Sequence, residues 1–299
     1  MEILIDIGSS TVKVYSYSAQ EGVVPLETKS IHFREGFTPD QGIAPENKQA
    51  LIAYINTIKQ KYSPDIHVYA TAIFRKFFDE PRRLFASEFK QHTGIPFTIV
   101  PHDQEGRYLE LALAGKYHAP TPTLLINIGG GSTELITIQD SQAVQHHNLE
   151  IGVMTVMQQF PQLNDPLSPY PLDDVVSFIK NMLPQTTSRA PVAIYNGGEL
   201  TNMQLADYPL QPNTLFEDVD HPSMISVQDF ATRNQQIFDK VPLSSLEALM
   251  PSDPLWMHGA RPCSAIAQAI CVHFCVETIV PSDSNMVHGI VRHELQKLA

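Results

Sequence analysis

Residues 124–138 read LLINIGGGSTELITI. Leu124–Ile128 is an apolar run with the look of a buried strand, and Leu135–Ile138 is a second one. Between them stand Gly129, Gly130 and Gly131, then Ser132, Thr133 and Glu134. Strand, glycine turn and strand predict a hairpin. Without Cβ atoms such a turn can adopt positive φ and admit a ligand to its backbone. Successive free N–H groups there form an anion-binding nest. An ordinary hairpin turn is the competing reading.

The N-terminus repeats the pattern. Ile3–Ser18, ILIDIGSSTVKVYSYS, is again strand, polar residue, Ile-Gly, hydroxyl residues and strand. Asp6 occupies the place of Asn127, Gly8 that of Gly129, and Thr11 lies near the place of Thr133. Two such hairpins more than a hundred residues apart suggest an internal duplication.

The chain has 299 residues, 43% apolar and 17% charged, which suggests about two packed domains. No apolar run approaches the ~20 residues of a membrane span. With Glu2 leading directly into a strand, no secretory leader is expected. Cys263, Cys271 and Cys275 are an odd, clustered set, which argues against a disulfide framework and fits a reducing cytoplasm. Cys271 and Cys275, one helical turn apart, read as two buried core thiols, with a metal pair as the competing reading. The net charge of −12 opposes nucleic-acid binding, so an anionic ligand needs a local basic patch.

Along the chain, strands are expected at 23–33, 66–71 and 97–100, with helices at 45–62, 80–92 (Asp79 as N-cap) and 102–117. Prolines at 120 and 122 mark a boundary between domains 1–118 and 119–299. The second half continues with a strand near 143–148, helices at 152–160 and 172–183, a strand at 191–195 and a helix from Glu199 to Leu205. A surface loop is expected at 206–222, then helices at 227–238, 243–250 and 255–274, a strand at 277–280 and a last helix at 285–298. Each half reads as an α/β unit, with extra helices in the second; the last helix could pack back on the first domain.

Two phosphate loops facing each other across a cleft resemble the actin-like ATPase and sugar-kinase superfamily, whose two domains carry mixed sheets flanked by helices. Four further stretches narrow the resemblance. Ala70–Arg75, ATAIFR, resembles a strand-end motif that supplies an arginine to the cleft. Asp103–Tyr108, DQEGRY, resembles the motif that supplies a catalytic glutamate. Asn196–Asn202, NGGELTN, resembles a Gly-Gly-Thr-x-Thr-Asn loop, and Val280–Leu295, with Ser282-Asp283 and Glu294-Leu295, resembles a closing segment. In this order they are similar to the exopolyphosphatase and guanosine pentaphosphate phosphohydrolase family. The longer members' additional helical domain is not expected in this chain.

The resemblance implies hydrolysis of terminal phosphoanhydride bonds in inorganic polyphosphate, with guanosine pentaphosphate as a related substrate. Phosphoryl transfer needs positioning and charge stabilisation more than covalent help. The phosphate cradle would be Gly8, Ser9, Ser10 and Thr11 in one loop, Gly129, Gly130, Gly131, Ser132 and Thr133 in the other, and Gly197 and Gly198. Arg75 would grip phosphate in a planar fork. Glu105 would act as general base, its competing role being a helix N-terminal acid. Asp6 and Glu134, with Asn127 as a weaker ligand, would hold Mg²⁺ or another divalent cation. Asn127 departs from the family's aspartate, so Asn127→Asp is expected to tighten Mg²⁺ binding without disturbing the fold. Glu199 replaces a small hydroxyl residue and would repel phosphate. Gln104, His102 and His32 also depart from the pattern. A catalytically weakened protein that binds polyphosphate or a guanosine polyphosphate nucleotide, and a small-molecule kinase, remain alternatives. Nucleic acid and membrane are not expected partners, and a homodimer stays open.

Overall fold

A computed structural model describes residues 1–62, 65–113, 121–140, 142–185, 188–217 and 220–295. The chain forms two compact units, Leu109–Asn285 and a second made of Met1–Tyr108 with the described residues from Met286 on. The boundary expected at 118/119 lies outside the described residues; the units divide within a helix, between Tyr108 and Leu109.

Unit 1 opens with β1 (Glu2–Ile7), β2 (Thr11–Ser18) and β3 (Gly22–Ser30), followed by α1 (Pro45–Lys61) and β4 (Ile66–Ala70). Then come α2 (Asp79–Thr93), β5 (Phe97–Ile99) and α3 (His102–Leu113). The sheet order is β3-β2-β1-β4-β5, with β1–β2 and β2–β3 antiparallel and the remaining pairs parallel. Period-2 alternation sends Ile3, Ile5, Ile7, Val12 and Val14 into one core with Leu51, Ile55 and Ile58 of α1. Phe74, Phe85, Phe89 and Phe97 join it as an aromatic cluster with ring centroids 4.8–6.4 Å apart. Leu4, Asp6 and Lys13 take the alternate positions.

β3 ends at Ser30 rather than Phe33 because the next residues serve the first hairpin. Ile31 N and Phe33 N donate to the carbonyls of Ser10 (3.0 Å) and Ser9 (3.1 Å). The N-cap of α2 is Phe78, and Asp79 is its first helical residue, not the cap.

Unit 2 contains β6 (Thr123–Ile128), β7 (Thr133–Gln139), β8 (Gln142–Leu149), α4 (Val153–Gln159), α5 (Leu172–Lys180), β9 (Val192–Asn196) and α6 (Glu199–Leu205). It continues through β10 (Gln211–Pro212), β11 (Ser223–Ser226), α7 (Val227–Lys240), α8 (Leu243–Glu247), α9 (Ala260–His273) and β12 (Thr278–Pro281). Its sheet runs β10-β11-β12-β9-β6-β7-β8. The stretch β8-β7-β6-β9-β12 repeats the order of unit 1, antiparallel meander first and parallel crossovers after. The same topology twice is what a duplicated hairpin at each start implies.

Leu124, Ile126, Leu135, Ala193 and Tyr195 face one core with α5, α7 and α9. Buried Arg261 stitches the loop between α4 and α5 to it, donating to the carbonyls of Leu163 (3.1 Å), Asp165 (3.3 Å) and Pro166 (3.4 Å), and to that of Val241 (2.6 Å) after α7. Burial lowers its guanidinium pKa.

Three local expectations change. The loop expected at 206–222 contains β10, and β11 follows it; β11 extends the sheet by pairing with the edge of β12, and β10 pairs in turn with β11, tertiary contacts with no local signal. The helix expected at 255–274 is divided, because Pro262 has no N–H and is tolerated only in a first turn. A 3₁₀ segment, Pro254–Gly259, precedes α9. Of the thiols, Cys271 is buried and pushed up to about 12 by that burial, whereas Cys275 is exposed.

The chain then forms α10 (Met286–Ile290), continued by a wider π turn, Val291–Leu295, in unit 1. Gly289 lets α10 cross α3 closely: a Cβ there would overlap the Tyr108 carbonyl. No helix among the described residues is long and apolar enough to cross a membrane.

Candidate active site

Each unit carries one candidate half-site at the turn of its first hairpin. The two turns close identically. Gly8 N donates to Thr11 O at 2.9 Å, and Gly129 N donates to Ser132 O at 2.8 Å. The register then pairs Asp6 with Lys13 in one and Asn127 with Glu134 in the other.

In unit 1, Asp6 near the end of β1 has its carboxyl pushed up to about 6 by burial; the charge of Glu105 adds to this and that of Lys13 opposes it. Glu105 sits in the first turn of α3, 7% exposed, its N–H donating to Pro101 O at 2.9 Å. Arg75 reaches it through a strained turn: Ala72 has φ +52° and starts the 3₁₀ segment Ala72–Lys76 after β4. Its Nη1 donates to Glu105 Oε2 at 2.5 Å and to Val100 O at 3.1 Å. Arg82 braces the same turn from α2, donating to Arg75 O (3.0 Å) and Phe77 O (2.8 Å). Asp6, Arg75, Glu105 and the loop Gly8–Thr11 are therefore gathered, and the Ser9 hydroxyl is buried there without a hydrogen-bond partner.

In unit 2, Asn127 Nδ2 donates to Glu134 Oε2 at 2.7 Å, and Ser132 Oγ donates to Glu134 Oε1 at 2.9 Å. Thr133 Oγ1 donates to Ile151 O at 2.7 Å. Both hydroxyl protons are thus taken up within unit 2, that of Ser132 by Glu134 and that of Thr133 by the Ile151 carbonyl. Gly152 and α4 hold the loop from behind. Val153 N donates to Gly129 O (3.1 Å) and Met154 N to Gly130 O (2.9 Å). A Cβ on Gly152 would stand 2.5 Å from Gly131 N and 2.6 Å from Gly129 O.

Gly197 and Gly198 follow β9 with φ +110° and +109°, conformations that exclude ordinary L residues. Gly197 lies beside Asn127, 3.7 Å separating a notional Cβ from Oδ1. The N–H groups of Gly198 and Glu199 donate to Ser282 O (3.4 and 3.2 Å). Asp283 accepts from Thr201 N at 3.0 Å and Thr201 Oγ1 at 2.6 Å. The Ser-Asp of the closing segment thereby fixes the double-glycine loop. Glu199 accepts from Asn202 (3.2 Å), and its charge helps to raise the phenol pKa values of Tyr195 and Tyr208, after burial. Its carboxylate therefore lies against tyrosines.

Sequence reasoning missed Lys13, Arg82 and Gly152. Counting back from the closed turn pairs Lys13 with Asp6, so the hairpin pattern held that signal. Gly152 read only as a helix start.

The Asn127–Glu134 hydrogen bond revises the expectation that Asn127→Asp leaves the fold undisturbed. In metal-free buffer the exchange sets two carboxylates where one amide donates to the other's oxygen. A fall of roughly 3–8 °C in Tm is expected, with recovery on adding Mg²⁺; calorimetry with and without the ion checks it. An unchanged metal-free Tm would mean that the hydrogen bond carries no stability.

The chain matches the model of the Ppx/GppA phosphatase family over residues 17–294. It belongs to that family, and is thus a phosphohydrolase acting on phosphoanhydrides. Solved structures agree on the fold. An exopolyphosphatase from Cytophaga hutchinsonii is 14% identical with a TM-score of 0.76, covering 99% of this chain and 97% of that one. An exopolyphosphatase-like protein is 18% identical with a TM-score of 0.74, covering 99% and 98%. The Aquifex aeolicus family member is 16% identical with a TM-score of 0.72, covering 99% and 97%. The architecture is thus the actin-like ATPase fold.

Proposed function

We propose that the chain releases terminal phosphate from inorganic polyphosphate, with guanosine pentaphosphate as a related substrate. The observation that carries this reading is the gathering of Glu105, Arg75 and Asp6 beside the loop Gly8–Thr11. Water attacks the terminal phosphorus while Glu105 takes its proton. The bond from that phosphorus to the bridging oxygen breaks, and the shortened chain leaves with that oxygen. Loop N–H groups and the Arg75 guanidinium hold the equatorial oxygens, on which charge develops.

Mg²⁺ or another divalent cation fits this donor set. Among the described residues no group of three His, Cys, Asp or Glu side chains could hold a metal. Mg²⁺, however, needs only one or two carboxylates when phosphate supplies the rest. Asp6 is the carboxylate suited to it in unit 1; Glu134 in unit 2 already accepts two hydrogen bonds. The ion would neutralise phosphate oxygens.

The same hydrogen bonds favour a second reading, a weakened protein that binds polyphosphate or a guanosine polyphosphate nucleotide. Phosphate release from long-chain polyphosphate, guanosine pentaphosphate and ATP, with and without Mg²⁺, separates the two. Mg²⁺-dependent release from polyphosphate is expected. Binding without release of phosphate would establish the second reading and overturn the first.

A further inference from the structure

We propose that Asn196 is a phosphate-binding residue of the second half-site, its amide meeting a phosphate group of the substrate; this rests on the polyphosphate reading. Asn196 ends β9 and is 1% exposed. Neither its Nδ2 nor its Oδ1 has a hydrogen-bond partner. Among the described residues it is the only side chain with two such atoms. Buried polar groups are almost always paired, so an amide orphaned at both ends asks for a ligand or a water.

Its place says which. Parallel register sets Asn196 beside Asn127, and the core takes Ile126, Leu135 and Tyr195 at the neighbouring positions. Glu134, Asn127 and Asn196 therefore form a polar row on the face away from that core, across three adjacent strands. The first two are hydrogen-bonded to each other; the third is not part of that bond. Gly197 follows at once, and its missing side chain leaves the Asn127 side of the loop clear.

The chemistry suits a phosphate with its hydration water. Nδ2 donates to a non-bridging oxygen, and Oδ1 accepts from a water or a protonated phosphate oxygen. A neutral amide adds no repulsion to a polyanion, whereas a carboxylate at that position would. An orphaned amide lowers the stability of the free protein, and leucine of nearly the same outline would not.

The test uses Asn196→Leu in the full chain, with Tm and calorimetric affinity for inorganic phosphate and for methylenediphosphonate, which is not hydrolysed. Tm is expected to hold or rise, while Kd for methylenediphosphonate rises about 10- to 100-fold, the equivalent of a lost hydrogen bond to a charged group. A parallel loss for inorganic phosphate assigns Asn196 to a single phosphate site; a loss for methylenediphosphonate alone assigns it to the second phosphate of a chain. Wild-type affinity in Asn196→Leu, with a lowered Tm, would mean that a structural water satisfies the amide and would overturn the proposal. Should Asn196→Leu fail to fold, the isosteric Asn196→Asp is expected to lose affinity steeply at pH 8, and wild-type affinity there is equally fatal. If the wild-type protein binds neither probe and releases no phosphate from polyphosphate, the polyphosphate reading falls as well. If it binds and hydrolyses while both variants match it, only the role of Asn196 falls.

Discussion

Glu105→Gln is expected to leave substrate binding in place and to lower turnover by ~10²–10⁴-fold. Glutamine keeps the outline of the side chain and still offers Arg75 an amide oxygen. It cannot take a proton from water. The exchange thus removes one function from a residue that is buried and held at 2.5 Å by Arg75. Steady-state kinetics on polyphosphate, paired with calorimetric affinity for inorganic phosphate, separates the two roles open to this carboxylate. A loss confined to kcat identifies the base. Equal losses in kcat and affinity would instead make Glu105 the group that orients Arg75 toward phosphate.

Gly152→Ala should cost ~10²-fold in kcat/KM, although residue 152 is expected to touch no substrate. The added methyl would stand 2.5–2.7 Å from Gly131 N, Gly131 Cα and Gly129 O, all backbone atoms that cannot rotate away. Either the loop or α4 has to shift. The hydrogen bonds from Val153 and Met154 to Gly129 and Gly130 couple the two, so a shift of α4 also moves the loop. Overpacking of this kind costs about 1–3 kcal/mol of stability, which a chain of this size survives. The expected signature is a folded protein by circular dichroism with weakened phosphate affinity. A folded Gly152→Ala protein with wild-type kinetics would show that the loop's position is not set from α4.

Much of this was legible in the sequence, for a physical reason. The two hairpins announce themselves through local signals, apolar runs of strand length around glycine turns. Repetition of the pattern at Ile3–Ser18 and Leu124–Ile138 then implied the doubled topology. Asp6, Arg75 and Glu105 were named through the resemblance of their stretches to family motifs, and they lie together in unit 1. What stayed hidden depends on tertiary partners. The use of the Ser132 and Thr133 hydroxyls follows from what stands opposite them, Glu134 and Ile151. β11 exists because β12 offers an edge. Gly152 matters because of atoms more than twenty residues earlier, and glycine at a helix start carries no such message. Asn196 was read as part of a glycine loop, and only the absence of partners around its amide sets it apart.

The close crossing at Gly289 has a consequence for biosynthesis. Unit 1 draws on two separated stretches, while Leu109–Asn285 is continuous. A nascent chain emerges N-terminus first at ~5–20 residues per second. All of unit 2 has therefore been synthesised before α10 exists. The first 108 residues must wait on the ribosome, with the α3 surface around Tyr108 that α10 will cover still bare. The half that is made first is thus the half completed last, and the interval in which a chaperone could act on it is the translation time of unit 2.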